Sequence, residues 1–297
     1  MADSESGAEG GSGGAEPLAD ATEDELEAGS ISQGREPGDA PARPYTLAID
    51  VGGTGLKASV LDATGIMVAD RVRVSTTYPM PPTGKGGLVP TLTTLVEPLP
   101  EADRVSIGFP GMVRKGLVLS APHFITESGP GTKINAKLVK AWQSFDLATA
   151  MSDVLDKPVK VANDADVQGA AAVEGDGLEL VITLGTGLGT AVFLDGLLMP
   201  HLEIAHQPFR KGETYNEQLG ERVRKQIGDE RWNRRVRKAI ATLDQLLFFD
   251  HLFIGGGNGR RVNRDELGDV LERVTVIDNS AGILGGIRLW EGQHLTV

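Results

Sequence analysis

The chain has no cysteine, which removes disulfides, thiolate zinc sites and cysteine nucleophiles together. A metal must therefore be held by oxygen or imidazole. Long apolar runs are also missing. No stretch approaches the roughly 20 residues that a bilayer-spanning helix needs, and Met1 is followed by acidic and small residues where a leader would be basic and then apolar. The expectation is a cytoplasmic protein without a membrane partner. Basic charge is scarce at the N-terminus, where residues 1–43 hold eleven Asp or Glu against two Arg. That segment carries −9 of the total −12 and leaves −3 for residues 44–297. With its Gly/Ser runs and few large apolar residues it cannot offset the entropy of ordering, so residues 1–43 are expected to form a disordered acidic tail, with at most a helical turn near Glu23–Ala28.

What is present is glycine, and it is arranged in a repeat. Ile49-Asp50-Val51-Gly52-Gly53-Thr54-Gly55-Leu56-Lys57 aligns without a gap on Ile182-Thr183-Leu184-Gly185-Thr186-Gly187-Leu188-Gly189-Thr190, at a constant offset of 133. Each copy reads as an apolar strand, a bend without side-chain bulk and a second strand. Such bends can press backbone N–H groups against an anion, and Asp50 beside the first can hold Mg²⁺ directly or through water. A single Gly-Gly-Thr is as often a plain tight turn; two copies suggest two lobes facing one phosphorylated ligand.

Around the repeat, the pattern predicts strands at Tyr45–Val51, Leu56–Leu61 and Met67–Val74, an exposed loop over Thr76–Gly87, and a helix confined to the middle of Leu88–Leu99 by Pro90 and Pro98. Further strands are expected at Val105–Phe109, around Gly116, at Val159–Ala162 and at His251–Ile254. Helices are expected at Phe145–Leu155, over the small residues Gly169–Ala172, at Tyr215–Ile227 and Asp229–Phe249, and at Ala281–Glu291. This is an α/β chain of two similar lobes.

Asn163-Asp164 follows a strand, where α/β proteins place ligands. A carboxylate there can take the proton of an attacking hydroxyl. Asp166 is the better candidate to cap the next helix and Asp164 the better base. Glu203 and His206, three apart, would share a face if their segment is helical, and suit polyol hydroxyls. No further ligands at metal spacing accompany them, so zinc is not expected. Residues 221–238 hold eight Arg or Lys against three acids. Most such runs are solvated helix faces, although a polyanion track is the sharper alternative. Nucleic acid is not expected, since no recognition motif accompanies the run.

Taken in order, Asp50–Lys57, Gly108-Phe109-Pro110-Gly111, Asn163-Asp164-Ala165, Leu184–Gly189, Glu203-Ile204-Ala205-His206 and Ile254–Gly257 resemble the ROK family of sugar kinases, in the actin-like ATPase and hexokinase superfamily. The resemblance covers the chain from Tyr45 onward. It implies a two-lobed actin-like, ribonuclease H-like fold, with a mixed sheet flanked by helices in each lobe and a cleft between them. The implied division is 44–165 for the smaller lobe, 166–280 for the larger, and 281–297 for a helix packing back toward the first. It implies that Asp50, Gly52, Gly53, Thr54 and Lys57 line the first phosphate loop and Gly185, Thr186 and Gly187 the second, with Gly255, Gly256, Gly257 and Asn258 at the nucleotide or polyphosphate end. Sugar hydroxyls would meet Asn163, Asp164, Glu203 and His206, with Gly108, Pro110 and Gly111 as one wall and Asp164 as base for the 6-hydroxyl. The subgroup most similar is polyphosphate-dependent. The cysteine-rich zinc motif of many members is replaced here by Gln207–Tyr215, so the further sugar-binding glutamate is sought there, and Glu217 and Glu213 both qualify. Ala205 stands for the usual Gly, and His123 near a customary Asn. The implied activity is phosphoryl transfer from ATP or polyphosphate to glucose or a similar hexose, with Mg²⁺, in a homodimer. The alternative is a catalytically silent or regulatory sugar-binding protein; a repressor is disfavoured because the N-terminus lacks a helix-turn-helix.

Overall fold

The computed structural model describes residues 41–129, 131–277 and 281–291. The expected acidic tail, including the turn near Glu23, lies outside these residues except for 41–43. Those three are fastened to the fold: the Ala42 carbonyl accepts the Ala63 N–H at 2.8 Å, and Arg43 pairs with Asp103.

In the first half, β1 (Thr46–Val51) reverses into β2 (Gly55–Leu61), which pairs antiparallel with β3 (Val72–Ser75). After α1 (Leu88–Val96), β4 (Arg104–Phe109) lies parallel to β1. A small sheet of β5 (Val113–Arg114), β6 (Leu117–Val118) and β7 (Phe145–Asp146) encloses α2 (Ala136–Trp142) in sequence. Then come α3 (Leu147–Leu155), β8 (Val159–Asn163), parallel to β4, and α4 (Asp164–Ala170). The main sheet runs β3-β2-β1-β4-β8. β1 is buried on both faces, as a central strand should be: Leu47, Ile49 and Val51 join the lobe's core, while Ala48 packs with Ile287 on the other side.

The second half repeats this plan. β9 (Leu178–Leu184) and β10 (Leu188–Leu194) form the hairpin, β11 (Leu197–Leu198) adds antiparallel to β10, and β12 (Pro208–Arg210) pairs with β13 (Glu213–Thr214). Helices α5 (Tyr215–Leu219), α6 (Glu221–Ile227) and α7 (Asp229–Leu247) precede β14 (His251–Gly255) and β15 (Val274–Val276), both parallel, and α8 (Ala281–Glu291) closes the described chain. The order β11-β10-β9-β14-β15 matches the first sheet strand for strand. Asp50 pairs with Lys57 and Gly108, and its counterpart Thr183 pairs with Gly189 and Gly255.

Several elements depart from expectation for local reasons. The third strand is only Val72–Ser75; Met67 contributes an isolated bridge to Leu61 before the chain bends. Helix α1 starts at Leu88, because Pro90 falls in the first turn, where backbone N–H groups have no intrahelical partner. Helix α3 begins at Leu147, since Asp146 caps it by accepting the Thr149 N–H at 2.9 Å and Phe145–Asp146 is spent as a strand. The small-residue segment at Gly169 ends α4, which starts earlier, at Asp164. The Thr76–Gly87 loop is anchored: Met80 is fully buried and its carbonyl accepts the Trp142 indole N–H at 3.0 Å. The expected helix over Tyr215–Ile227 is two helices broken at Gly220, where a Cβ would sit 2.3 Å from the Thr186 carbonyl.

Helix α8 returns to the first sheet. Ser106 Oγ donates to the Gly286 carbonyl at 2.5 Å and accepts the Trp290 indole N–H at 2.8 Å. On its other side a Cβ at Gly285 would lie 1.6 Å from the Val167 carbonyl of α4. Gly285→Ala should therefore lower unfolding stability by about 2–3 kcal/mol, an overpacking cost against rigid backbone. Gly286→Ala, facing side chains at 3.2 Å, should cost less. Chemical denaturation of both variants checks this order, and an unperturbed Gly285→Ala would refute it.

Candidate active site

The two glycine turns and the end of β8 open onto one cleft of about 500 Å³. Asp50, Gly52, Gly53 and Lys57 line it from the first hairpin, Gly185, Thr186 and Gly187 from the second, and Gly256 and Gly257 from the turn after β14. Pro110, Gly111, Asn163 and Asp164 form its floor, facing Glu203 and His206. Residues far apart in sequence thus converge because β1, β4 and β8 of the first sheet and β9 and β14 of the second end at the same opening.

Each turn is held by its own backbone. The Gly52 N–H donates to the Gly55 carbonyl at 2.9 Å and the Gly185 N–H to the Gly187 carbonyl at 3.0 Å. A Cβ on Gly52 would lie 2.7 Å from the Gly55 carbonyl. Neighbours brace the bends: Thr76 Oγ1 and the Tyr78 hydroxyl donate to the Gly52 and Gly53 carbonyls, each at 2.7 Å. The second turn is braced by the Glu221 N–H and the Asn258 amide, both donating to the Gly185 carbonyl. Gly256 adopts φ +82°, and a Cβ there would lie 2.4 Å from the Leu184 carbonyl.

Asn163 ends β8 in an extended conformation and caps α4, accepting the Ala165 N–H at 2.8 Å while its amide donates to the Gly111 carbonyl at 2.9 Å. The cap expected of Asp166 therefore belongs to Asn163. Asp166 is inside the first helical turn, almost fully buried, and meets His201 Nδ1 at 3.0 Å. Asp164, the first helical residue, faces the cleft. Burial pushes its carboxyl up to about 7, and the nearby Asp50 carboxylate pushes the same way.

Five expected site residues lie off the cleft wall. Thr54 is at the exposed tip of the first turn, where its carbonyl accepts the Thr76 N–H. Gly108 lies beneath Asp164 in β4; a Cβ there would meet the Asp164 Cα at 3.7 Å, an ordinary van der Waals contact. Gly255 packs against Ile277, and buried Asn258 acts as the brace just described. Glu217 is exposed and closes a capping box, accepting the Thr214 N–H at 2.8 Å and hydroxyl at 2.9 Å. Exposed Glu213 bonds Gln218 instead. Neither glutamate reaches the cleft, because the capping box spends one at the start of α5 and the other stays on the β12–β13 hairpin. The Glu203-to-His206 segment is a short 3-10 turn, not an α-helix, and both side chains still line the cleft.

The ROK family pattern matches residues 46–201 of this chain. The chain belongs to the ROK family. Among ROK relatives, polyphosphate glucokinase of Mycobacterium tuberculosis (strain CDC 1551 / Oshkosh) is 26% identical over 265 residues, 83% of this chain and 91% of that protein. N-acetylmannosamine kinase of Escherichia coli O139:H28 (strain E24377A / ETEC) is 33% identical over 159 residues, 52% of this chain and 49% of that one. The crystal structure of inorganic polyphosphate/ATP-glucomannokinase from Arthrobacter sp. strain KM superimposes with a TM-score of 0.64 at 27% identity, covering 86% of this chain and all of that one. The fold is accordingly the two-lobed actin-like ATPase fold.

The ROK cleft also holds residues that pattern reading did not place in it. His201, Arg71, Gln168 and Asn216 line it. Asn216 Oδ1 accepts the Leu188 N–H at 2.6 Å, and only a glycine at 187 leaves room for that amide, since a Cβ would approach Oδ1 to 2.1 Å. His123 lines the floor beside Pro122, and burial lowers its pKa, keeping the imidazole neutral near pH 7. Nothing in the sequence marks His201, because its two carboxylate partners are fixed by the fold. Among the described residues, no group of three or more metal-ligating side chains occurs, and no helix is long and apolar enough to cross a membrane.

Asp164 ties stability to pH. Its folded pKa is raised, so its stabilising contribution is complete below the unfolded carboxyl range near 4 and is lost as pH rises through about 7. Asp164→Asn should therefore melt higher than the native chain at pH 8, by about 1–3 kcal/mol after allowing for cleft water, and lose that advantage at pH 4–5. Equal melting shifts at both pH values would refute the assignment.

Proposed function

We propose that this chain is a hexose kinase that transfers a terminal phosphoryl group from polyphosphate, ATP or both to the 6-hydroxyl of glucose or a similar hexose, with Asp164 as general base. The observation that carries this reading is a carboxyl with a pKa near 7 on the floor of a cleft, flanked by two backbone-lined glycine turns. A group of that pKa is half ionised at neutral pH and so both available and basic enough to take a hydroxyl proton. The relatives named above, a polyphosphate glucokinase and a polyphosphate/ATP-glucomannokinase, support the substrate classes.

The chemistry follows from where the groups stand. The sugar would sit on the floor against Gly111 and Asn163, with its hydroxyls toward Glu203 and His206. Asp164 accepts the 6-hydroxyl proton as the oxygen–phosphorus bond forms and the donor's bridging oxygen leaves with the electron pair. The glycine turns supply N–H dipoles to the donor phosphates, and Lys57, opposite Asp50 in the hairpin register, supplies positive charge. Asp50 suits a Mg²⁺ ion shared with donor phosphates, since a single carboxylate beside phosphate oxygens is how that cation is commonly held. Bound there, the ion would neutralise phosphate charge. Enclosure between the lobes keeps water from replacing the sugar as acceptor.

Polyphosphate use rests on the basic surface beyond the second turn. Arg222, Arg231, Arg237 and Lys238 are exposed on α6 and α7, while Arg224, Lys225 and Arg234 are each paired with a carboxylate. The start of α6 touches the second turn, the Glu221 N–H donating to the Gly185 carbonyl at 2.9 Å.

Steady-state assays with glucose and mannose against ATP and polyphosphate test the reading; no hexose-dependent turnover of either donor by folded protein would end it. Asp164→Asn should reduce kcat by ~10²–10⁴. The acid limb of the native kcat/KM profile should fall off with an apparent pKa near 7, and lower with Mg²⁺ at Asp50, because positive charge favours the carboxylate. A combined Arg231→Ala, Arg237→Ala variant should raise the KM for polyphosphate more than that for ATP; equal effects would remove the basic track from the mechanism.

A further inference from the structure

We propose that His201 is a positioning residue whose imidazolium bridges Asp166 and Glu203, fixing the Glu203 carboxylate as an acceptor for a hexose hydroxyl. This rests on the hexose kinase reading and adds a component to it that no cleft motif contains.

The geometry is that of a buried relay. His201 Nδ1 lies 3.0 Å from Asp166 Oδ1, and Nε2 lies 3.8 Å from Glu203 Oε2, within ion-pair range. The side chains of Asp166 and His201 are 2% and 5% exposed, whereas that of Glu203 is 27% exposed and reaches the cleft. The inner end is therefore immobilised and the outer end meets ligand. Glu203 stands on a connecting segment, ahead of a single 3-10 turn, and such a carboxylate would otherwise sample several rotamers. Backbone contacts hold the segment itself: Thr190 Oγ1 donates to the Leu202 carbonyl at 2.8 Å, and the Ile204 N–H to the same oxygen at 2.9 Å. What they leave free is the Glu203 side chain, and His201 restrains it.

Charge supplies a second reason. The groups facing His201 are Asp166 and Asp164 from α4 and Glu203 from its own segment, with His206 beyond Glu203. Burial raises the pKa of both Asp164 and Asp166, and an imidazolium beside them favours their ionised forms. Burial opposes the charged ring, but the bonds to Asp166 and Glu203 outweigh it and hold the His201 pKa at about 10. Contact with His201 in turn keeps the Glu203 carboxyl below its usual range, so it meets the sugar as an acceptor. A neutral His201 could donate to only one of its two partners.

The test uses the full chain, with His201→Asn, His201→Ala and Asp166→Asn. An asparagine can still donate to Asp166 but is too short to reach Glu203. His201→Asn should keep most of the thermal stability that His201→Ala loses, yet raise the hexose KM ~10-fold, the usual effect of losing one hydrogen bond to a charged group, with a smaller fall in kcat and no change in donor KM. The native hexose KM should rise above about pH 9–10, following His201, and His201→Asn should lose that rise. Imidazole NMR should show one histidine titrating far above the ordinary 6.5 and shifting down in Asp166→Asn. His201→Asn with the native hexose KM, or an imidazole titrating near 6.5, would overturn the proposal while leaving the kinase reading intact. Absence of hexose turnover in the native chain would overturn both.

Discussion

Asn163 carries the constraint on which the site depends. Its side chain is used twice, once to cap α4 and once to hold the Gly111 carbonyl, so a single residue joins the end of β8, the start of a helix and the turn after β4. Asp164 follows it directly, and its placement on the cleft floor is a consequence of that junction. Loss of the junction would move the candidate base relative to both glycine turns.

The two sheets share one strand order, yet they contribute different chemistry. Where the first hairpin has Asp50 and Lys57 opposite each other, the second has Thr183 and Thr190 at the aligned positions, where Thr183 faces Gly189 and Thr190 faces Ile182. One half can therefore manage charge while the other offers backbone and hydroxyl groups. The second turn is braced from outside by Asn216, Asn258 and the N-terminus of α6, as the first is by Thr76 and Tyr78. The two repeated hairpins form the cleft, and their differing residues make its two walls unequal.

Negative charge is concentrated where the site must also be partly dry. Asp50, Asp164, Asp166 and Glu203 all sit in or beneath the cleft, and their mutual repulsion is managed differently at each position. Asp164 responds with a raised pKa, which suits a proton acceptor at neutral pH. Asp166 and Glu203 share a histidine, which keeps Glu203 ionised. Asp50 sits opposite Lys57. Burial thus separates carboxylates of the same chemical type into distinct roles.

Much of this was legible in the chain itself. The glycine-rich repeat at an offset of 133 residues announced two hairpins and two lobes, and the Asn-Asp pair after a strand announced a candidate base. These are local signals: glycine spacing, apolar alternation and a residue's place at a strand end are written in consecutive residues. The sequence by itself also excluded cysteine chemistry, because composition admits no tertiary exception. The division of labour between Asp164 and Asp166 was not local, since a capping residue is defined by its backbone angles and those put Asn163 in that place. Glu217 looked available until α5 began at Thr214 and spent it on a capping box. His201 carried no signal at all; its meaning comes from Asp166, 35 residues earlier, and Glu203 converging on its two ring nitrogens. Tertiary structure alone decided which carboxylates are buried and paired, because desolvation and charge pairing depend on neighbours in space.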